Sequence, residues 1–293
     1  MRAAIIGLLS LLPVFAVAGE RTLIHDGETR RYLIDEPAAT GPAPAIVVLH
    51  GGGGRPEQIR RAARFTLHRE GWVMLYPAGL GKMWNDGRTA LAGGPLRTGD
   101  DLGFLSAMLD GLVAEGRIDP ARIYFTGISN GGAMTQRMLC QAPRLAAGGV
   151  SVAMNYPVGL DCPEGVAKPM LYVLGTEDPL VPYLGGPITL GRKDRGAVRP
   201  ADESLGFFAR RAGCDAAVRE VLPDRAPFDR TRAVWTRLRG CAVPVGMITL
   251  EGGGHTWPGE RDRPLLRAIV GRTSREIDAT AEIERFFRRL AGE

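Results

Sequence analysis

The 293-residue chain has almost no lysine. Lys82, Lys168 and Lys193 are the only three among 37 basic side chains. The other cations are arginines interleaved with acids, as in residues 272–289, where Arg272, Arg275, Arg285, Arg288 and Arg289 alternate with Glu276, Asp278, Glu282 and Glu284. Against 32 acids the formal net charge is only +5, and no face of one sign stands out, so nucleic acid is not an expected partner. Also missing are an apolar run long enough to span a bilayer, a G-X-Y period, an internal repeat and a low-complexity linker. A multi-span membrane protein and a collagen-like chain are thereby excluded. Histidine is scarce as well: His25, His50, His68 and His255 are the whole set, none in an HExxH pattern, and the four cysteines form no CxxC. A zinc site has nothing to build on, and neither metal nor cofactor is expected.

What is present, 45% hydrophobic and 24% charged residues with 40 glycines and 21 prolines, is the composition of a globular, turn-rich domain. Arg2 precedes an apolar stretch over residues 3–17 that ends in Ala16-Val17-Ala18, a small-x-small cleavage pattern too short to span a membrane. Residues 1–18 are therefore expected to be a signal peptide and 19–293 a single domain, secreted or periplasmic, with no stable membrane insertion after cleavage. In an oxidising compartment Cys140, Cys162, Cys214 and Cys241 point to two disulfides. Three pairings are possible; the neighbours Cys140–Cys162 and Cys214–Cys241 close loops of moderate length and are the simplest of them.

Short β-prone stretches at residues 21–25 and 31–35 flank the turn dipeptide Asp26-Gly27, predicting an opening hairpin. Apolar runs at residues 45–49 (AIVVL), 72–76, 122–126, 149–153, 169–174 and 245–250 predict strands buried on both faces. Helical patterns lie between most of them. Asp100 or Asp101 caps one with Leu102, Leu105, Met108, Leu109 and Leu112 on one face, and Asp278 caps a last one with Ile283, Phe286, Phe287 and Leu290 inward. The alternation predicts an α/β fold with a mainly parallel central sheet covered by helices on both faces. Two segments break the rhythm. Residues 78–99 carry six glycines and Trp84, and residues 182–240 hold a helical pattern only near 200–214; loops of such length are usually functional.

The strand pattern at 122–126 runs into Gly127-Ile128-Ser129-Asn130-Gly131 and then into a helical stretch. A serine nucleophile on a sharp strand-to-helix turn needs neighbours at i−2 and i+2 without side chains, which is what GxSxG supplies. Its hydroxyl needs a base, and the base an orienting acid. Only His255 follows Ser129 among the histidines, in Gly252-Gly253-Gly254-His255 just after the last apolar strand. Of the intervening acids, Glu177 and Asp178 lie just past the carboxyl end of the 169–174 strand, where catalytic groups of open α/β sheets gather. Asp178, before Pro179, is the chosen acid; Glu177 and Glu251 are the alternatives. His50-Gly51-Gly52-Gly53-Gly54 follows the AIVVL strand, and bare backbone there can approach an acyl oxygen. The expected oxyanion donors are the N–H groups of Asn130 and Gly52, with His50 fixing the loop. No Gly-Lys-Ser/Thr follows, so a phosphate cradle is disfavoured.

With these motifs stand YPAG at Tyr76, Trp84-Asn85, Asp100-Asp101-Leu102-Gly103-Phe104, GTEDPLVPY at Gly175 and GGGHTWPG at Gly252. Over roughly residues 40–260 the combination resembles the poly(3-hydroxybutyrate) depolymerase and feruloyl esterase group, carbohydrate esterase family 1. The resemblance implies an α/β-hydrolase fold and a secreted serine esterase with Ser129, Asp178 and His255 as its triad, and it supports the Cys214–Cys241 pairing. The partner is then an ester substrate, a hydroxybutyrate-type oligomer or a feruloyl or acetyl ester of plant polysaccharide. No threonine-rich linker or appended binding module is visible, which speaks against attack on crystalline polymer. Trp84, Tyr183 and Trp257 are candidate substrate contacts, since flat rings suit a phenolic or sugar face. A serine peptidase on the same fold and a non-catalytic secreted binder are the competing readings; an intact Ser, Asp and His set speaks against the second.

Overall fold

The computed structural model describes residues 17–37, 41–165, 167–188, 191, 193–262 and 264–293. Most of the expected signal peptide lies outside the described residues. Strand β1 (Val17–His25) pairs with β2 (Glu28–Glu36) across Asp26 and Gly27, both at positive φ, the hairpin expected from the sequence. Next along the chain come β3 (Ala43–Leu49), α1 (Pro56–Ala63), β4 (Val73–Pro77), α2 (Asp101–Ala114), β5 (Ile118–Ile128), α3 (Asn130–Gln141), β6 (Gly148–Val152) and β7 (Met170–Gly175). The two-residue strands β8 (Gly186–Pro187) and β9 (Ala197–Val198) form a separate ribbon. The chain closes with α4 (Ala201–Arg211), β10 (Ala216–Val221), β11 (Arg232–Arg239), β12 (Val245–Glu251), α5 (Arg267–Val270) and α6 (Ala279–Ala291).

Ten strands form one sheet in the order β1-β2-β4-β3-β5-β6-β7-β12-β11-β10. The six from β4 to β12 run parallel, and an antiparallel hairpin extends each end. Side-chain alternation divides the interior into two cores. Ala45, Val47 and Leu49 of β3 face a core made with α2, α3 and α4, while Ile46 and Val48 face one made with α1 and α6. Asp100 caps α2 by accepting the Gly103 N–H, and Asp278 caps α6 by accepting those of Thr280 and Ala281.

The segment 182–240 departs from expectation, since it contributes β10 and β11. Every residue of β10 is exposed, so it lacks the apolar run that marks a buried strand. Disulfides join Cys140 to Cys162 and Cys214 to Cys241. The first ties the end of α3 to the loop before β7; the second ties the end of α4 to that between β11 and β12.

Candidate active site

The turn that carries Ser129 arises from backbone sterics. Ser129 sits between β5 and α3 at φ 56° and ψ −125°, a conformation that L-residues seldom adopt. Its N–H is held by the Val152 carbonyl at 2.9 Å. A Cβ on Gly127 would lie 2.6 Å from the Gly131 carbonyl carbon, and one on Gly131 would lie 2.3 Å from the Leu49 oxygen. Only glycine fits at either place. Helix α3 begins at Asn130, so its first N–H groups and positive dipole end lie immediately beside Ser129.

His255 and Asp178 follow the ends of two adjacent parallel strands, β12 and β7. Asp178 Oδ1 accepts the N–H groups of Leu180 and Val181, each at 2.8 Å, and Oδ2 accepts the Nδ1–H of His255 at 2.7 Å. The two side chains are 3% and 9% exposed, so the pair is screened from water. With Nδ1 engaged, Nε2 is the nitrogen left for proton transfer. The His255 loop is held on the far side, where the Val270 carbonyl accepts the His255 N–H and that of Arg272 accepts the Gly254 N–H. Glu177, by contrast, is 63% exposed and pairs with Arg272 at 3.2 Å, and Glu251 points to solvent. Among the described residues Ser129 Oγ makes no hydrogen bond.

The glycine loop after β3 packs directly on this turn. A Cβ on Gly51 would be 3.6 Å from Ser129 Cβ, and one on Gly52 would be 3.8 Å from Asn130 Cβ and 2.7 Å from Met83 Sδ. His50 fixes the loop, as expected. Its Nδ1 bonds the Gly51 carbonyl at 2.8 Å, its Nε2 accepts the Gly79 N–H at 3.0 Å, and its carbonyl accepts Trp84 Nε1–H at 2.9 Å. Burial holds this imidazole below the ordinary histidine range, so it is the neutral Nδ1–H tautomer.

The tryptophan expectations are corrected by burial. Trp84 is fully buried, with its backbone N–H donated to Asn130 Oδ1 at 2.7 Å. Trp257 is 3% exposed, packs edge-on against Phe65 and donates to Thr280 Oγ1 at 3.0 Å. Both rings are buried rather than displayed on the surface, and both pin loops onto the domain. Tyr183 is half-buried, with its hydroxyl 3.2 Å from Thr249 Oγ1. Sequence reasoning missed Asp86 and Arg88. Asn130 Nδ2 donates to Asp86 Oδ2 at 2.6 Å, and Asp86 in turn takes Nε and Nη2 of Arg88. Nothing in the local sequence singles out this buried pair, because its partner Asn130 is 44 residues away.

Among the described residues no group of three or more His, Cys, Asp and Glu side chains could hold a metal ion, and no helix is long and apolar enough to cross a membrane. The parallel sheet with helices on both faces, and a serine, a histidine and an acid at the carboxyl ends of its strands, define the α/β-hydrolase class. No family model matches the chain. A putative esterase, NocK, of Nocardia uniformis subsp. tsuyamanensis is 31% identical over 287 residues, covering 89% of this chain and 80% of that protein. Feruloyl esterase B of Piromyces equi is 27% identical over 73% of this chain, which spans only 39% of that relative. Among solved structures, the acetyl xylan esterase from Aspergillus awamori superposes with a TM-score of 0.56 at 16% identity, over 92% of this chain and 98% of that one. The chain belongs to the α/β-hydrolase esterase family, whose members are carboxylic ester hydrolases.

Proposed function

We propose that the protein is a secreted serine esterase that works through an acyl-enzyme, with Ser129 as nucleophile, His255 as base and Asp178 as the acid that orients it. The pairing of His255 Nδ1 with the buried, doubly anchored Asp178 carries this reading. His255 Nε2 takes the hydroxyl proton as Ser129 Oγ bonds to the ester carbonyl carbon. The resulting oxyanion is held by the backbone N–H groups of Asn130 and Gly52. Collapse breaks the bond to the alcohol, which leaves with the proton from His255. Water then adds to the acyl-enzyme, giving its proton to Nε2, and the acid is released as Ser129 recovers its hydrogen.

The proposed substrate is a feruloyl or acetyl ester of plant polysaccharide, the feruloyl ester in line with the feruloyl esterase relatives, or the hydroxybutyrate-type oligomer suggested by the sequence motifs. Secretion is supported by the signal-like residues 1–18 and by two disulfides, which persist in oxidising compartments. Cleavage after Ala18 leaves Gly19 to His25 still paired along β2. Ser129→Ala is expected to lower the rate on p-nitrophenyl butyrate by at least about 10³-fold with an unchanged circular dichroism spectrum. Parent-like rates in that variant would remove Ser129 from the mechanism.

A further inference from the structure

A cavity of about 510 Å³ opens beside the proposed oxyanion site, within the size range of small-molecule sites. Its inner wall includes Met83, Trp84 and Asp86, the residues that touch Gly52 and Asn130. The acids in its lining are all engaged. Asp86 is held by Arg88 and Asn130, Asp101 by Arg30 at 2.5 Å and the Asn85 N–H at 2.7 Å. Asp194 accepts the N–H groups of Gly196 and Leu91, which hold its carboxyl below the ordinary range. Of the four cations in the lining, Arg88 is taken up by Asp86 and the other three are not engaged. Among the described residues Arg97, Lys193 and Arg195 form no ion pair, and Arg195 Nε is buried without a hydrogen-bond partner. Lys193 is one of only three lysines in the chain.

We propose that this cavity is a subsite for a carboxylate carried by the ester substrate, bound by Arg195 with Arg97 and Lys193 at the rim. The inference rests on the esterase reading above. Asp194 stays charged because only backbone N–H groups bind it, so three unpaired cations outweigh one carboxylate, and a concave wall concentrates the net positive field on an entering anion. A neutral ester forgoes that attraction and leaves the buried Arg195 donor unpaired. Two sources share this chemistry, the free terminal carboxylate of a hydroxy-acid oligomer and the acid group of a uronic residue in an esterified polysaccharide.

Two matched pairs of soluble esters test the subsite in the full chain: a 3-hydroxybutyrate oligomer with its terminal carboxylate free or capped as the methylamide, and an acetylated uronic-acid oligosaccharide free or capped in the same way. At low ionic strength one free acid is expected to exceed its capped partner by about tenfold in kcat/KM. That advantage shrinks severalfold in about 0.5 M salt and approaches parity in the Arg97→Glu/Lys193→Glu double variant, whereas the conservative Lys193→Arg keeps it. The pair that shows the advantage identifies the source. Equal rates within both pairs, an advantage that survives charge reversal, or no hydrolysis of any of the four by a protein active on p-nitrophenyl butyrate would overturn the subsite and leave the esterase reading standing. Inactivity on p-nitrophenyl butyrate as well would overturn the esterase reading itself.

Discussion

Asn130 uses different atoms for two tasks. Its backbone N–H opens α3 beside Ser129, while its side-chain amide is bound to the Trp84 backbone and to Asp86. The loop that carries Met83 and Trp84 is thus locked to the residue next to Ser129. His50 locks the same loop from the other side. Because His50 is buried and neutral, its pKa in the folded state lies below its unfolded value of about 6.5. Above that value both states are neutral and no stability is lost. As pH falls below it, the unfolded chain binds the proton first, and stability drops by about 1.4 kcal/mol per pH unit until the folded-state pKa is reached. Urea unfolding at pH 7.5 and pH 5 should therefore show a smaller loss for His50→Gln than for the parent, although the variant starts lower. Parallel losses would show that His50 is not titrating in this way. The roles proposed for Ser129, Asp178 and His255 can be inferred from neighbouring residue types and chain order. The burial of Trp84 and Trp257 cannot, because a ring beside a motif in sequence can lie over the site or beneath it, and only the packing of distant residues such as Phe65 and Thr280 decides.

The element that bears most of the geometry is the β5–Ser129–α3 turn. Its glycines are legible because GxSxG states a steric requirement that does not depend on the rest of the fold. The structure gives that requirement a size: the Cβ of Gly131→Ala would meet the Leu49 oxygen at 2.3 Å and the His50 oxygen at 2.7 Å, both backbone atoms that cannot swing away. A loss of at least about 3 kcal/mol is expected. Gly111→Ala in α2, where a Cβ meets nothing within 4 Å, is expected to be neutral or stabilising by up to about 1 kcal/mol. Urea denaturation of the two variants checks the contrast, and equal stabilities would contradict the crowding at the turn. Strands β10 and β11 are not legible on the same terms. An edge strand needs no apolar run, so the exposed β10 leaves no signal, and β11, between β10 and β12 but only partly buried, leaves a weak one inside a long irregular segment.

At the scale of the whole molecule, six parallel strands bring the carboxyl ends of β3, β5, β7 and β12 to one rim, and the loops and turns leaving those four ends make up the site. The alternation of apolar runs with helical patterns makes that plan readable from the chain alone, since a sheet buried on both faces requires it. The ten-strand width and the β10–β11 hairpin are not readable in this way, and the opening hairpin is readable as a hairpin but not as one edge of the sheet, because strand order is set by pairing between distant segments. On the assembled rim the proposed acyl-enzyme mechanism makes one direct demand: the Ser129 oxygen must be a nucleophile in the folded protein. A fluorophosphonate probe reacts with such an oxygen by forming a phosphorus–oxygen bond and expelling fluoride. Peptide mass mapping after labelling is predicted to place one adduct on Ser129, with loss of p-nitrophenyl butyrate hydrolysis in proportion to labelling. A protein that hydrolyses this ester while Ser129 stays unmodified would contradict the account.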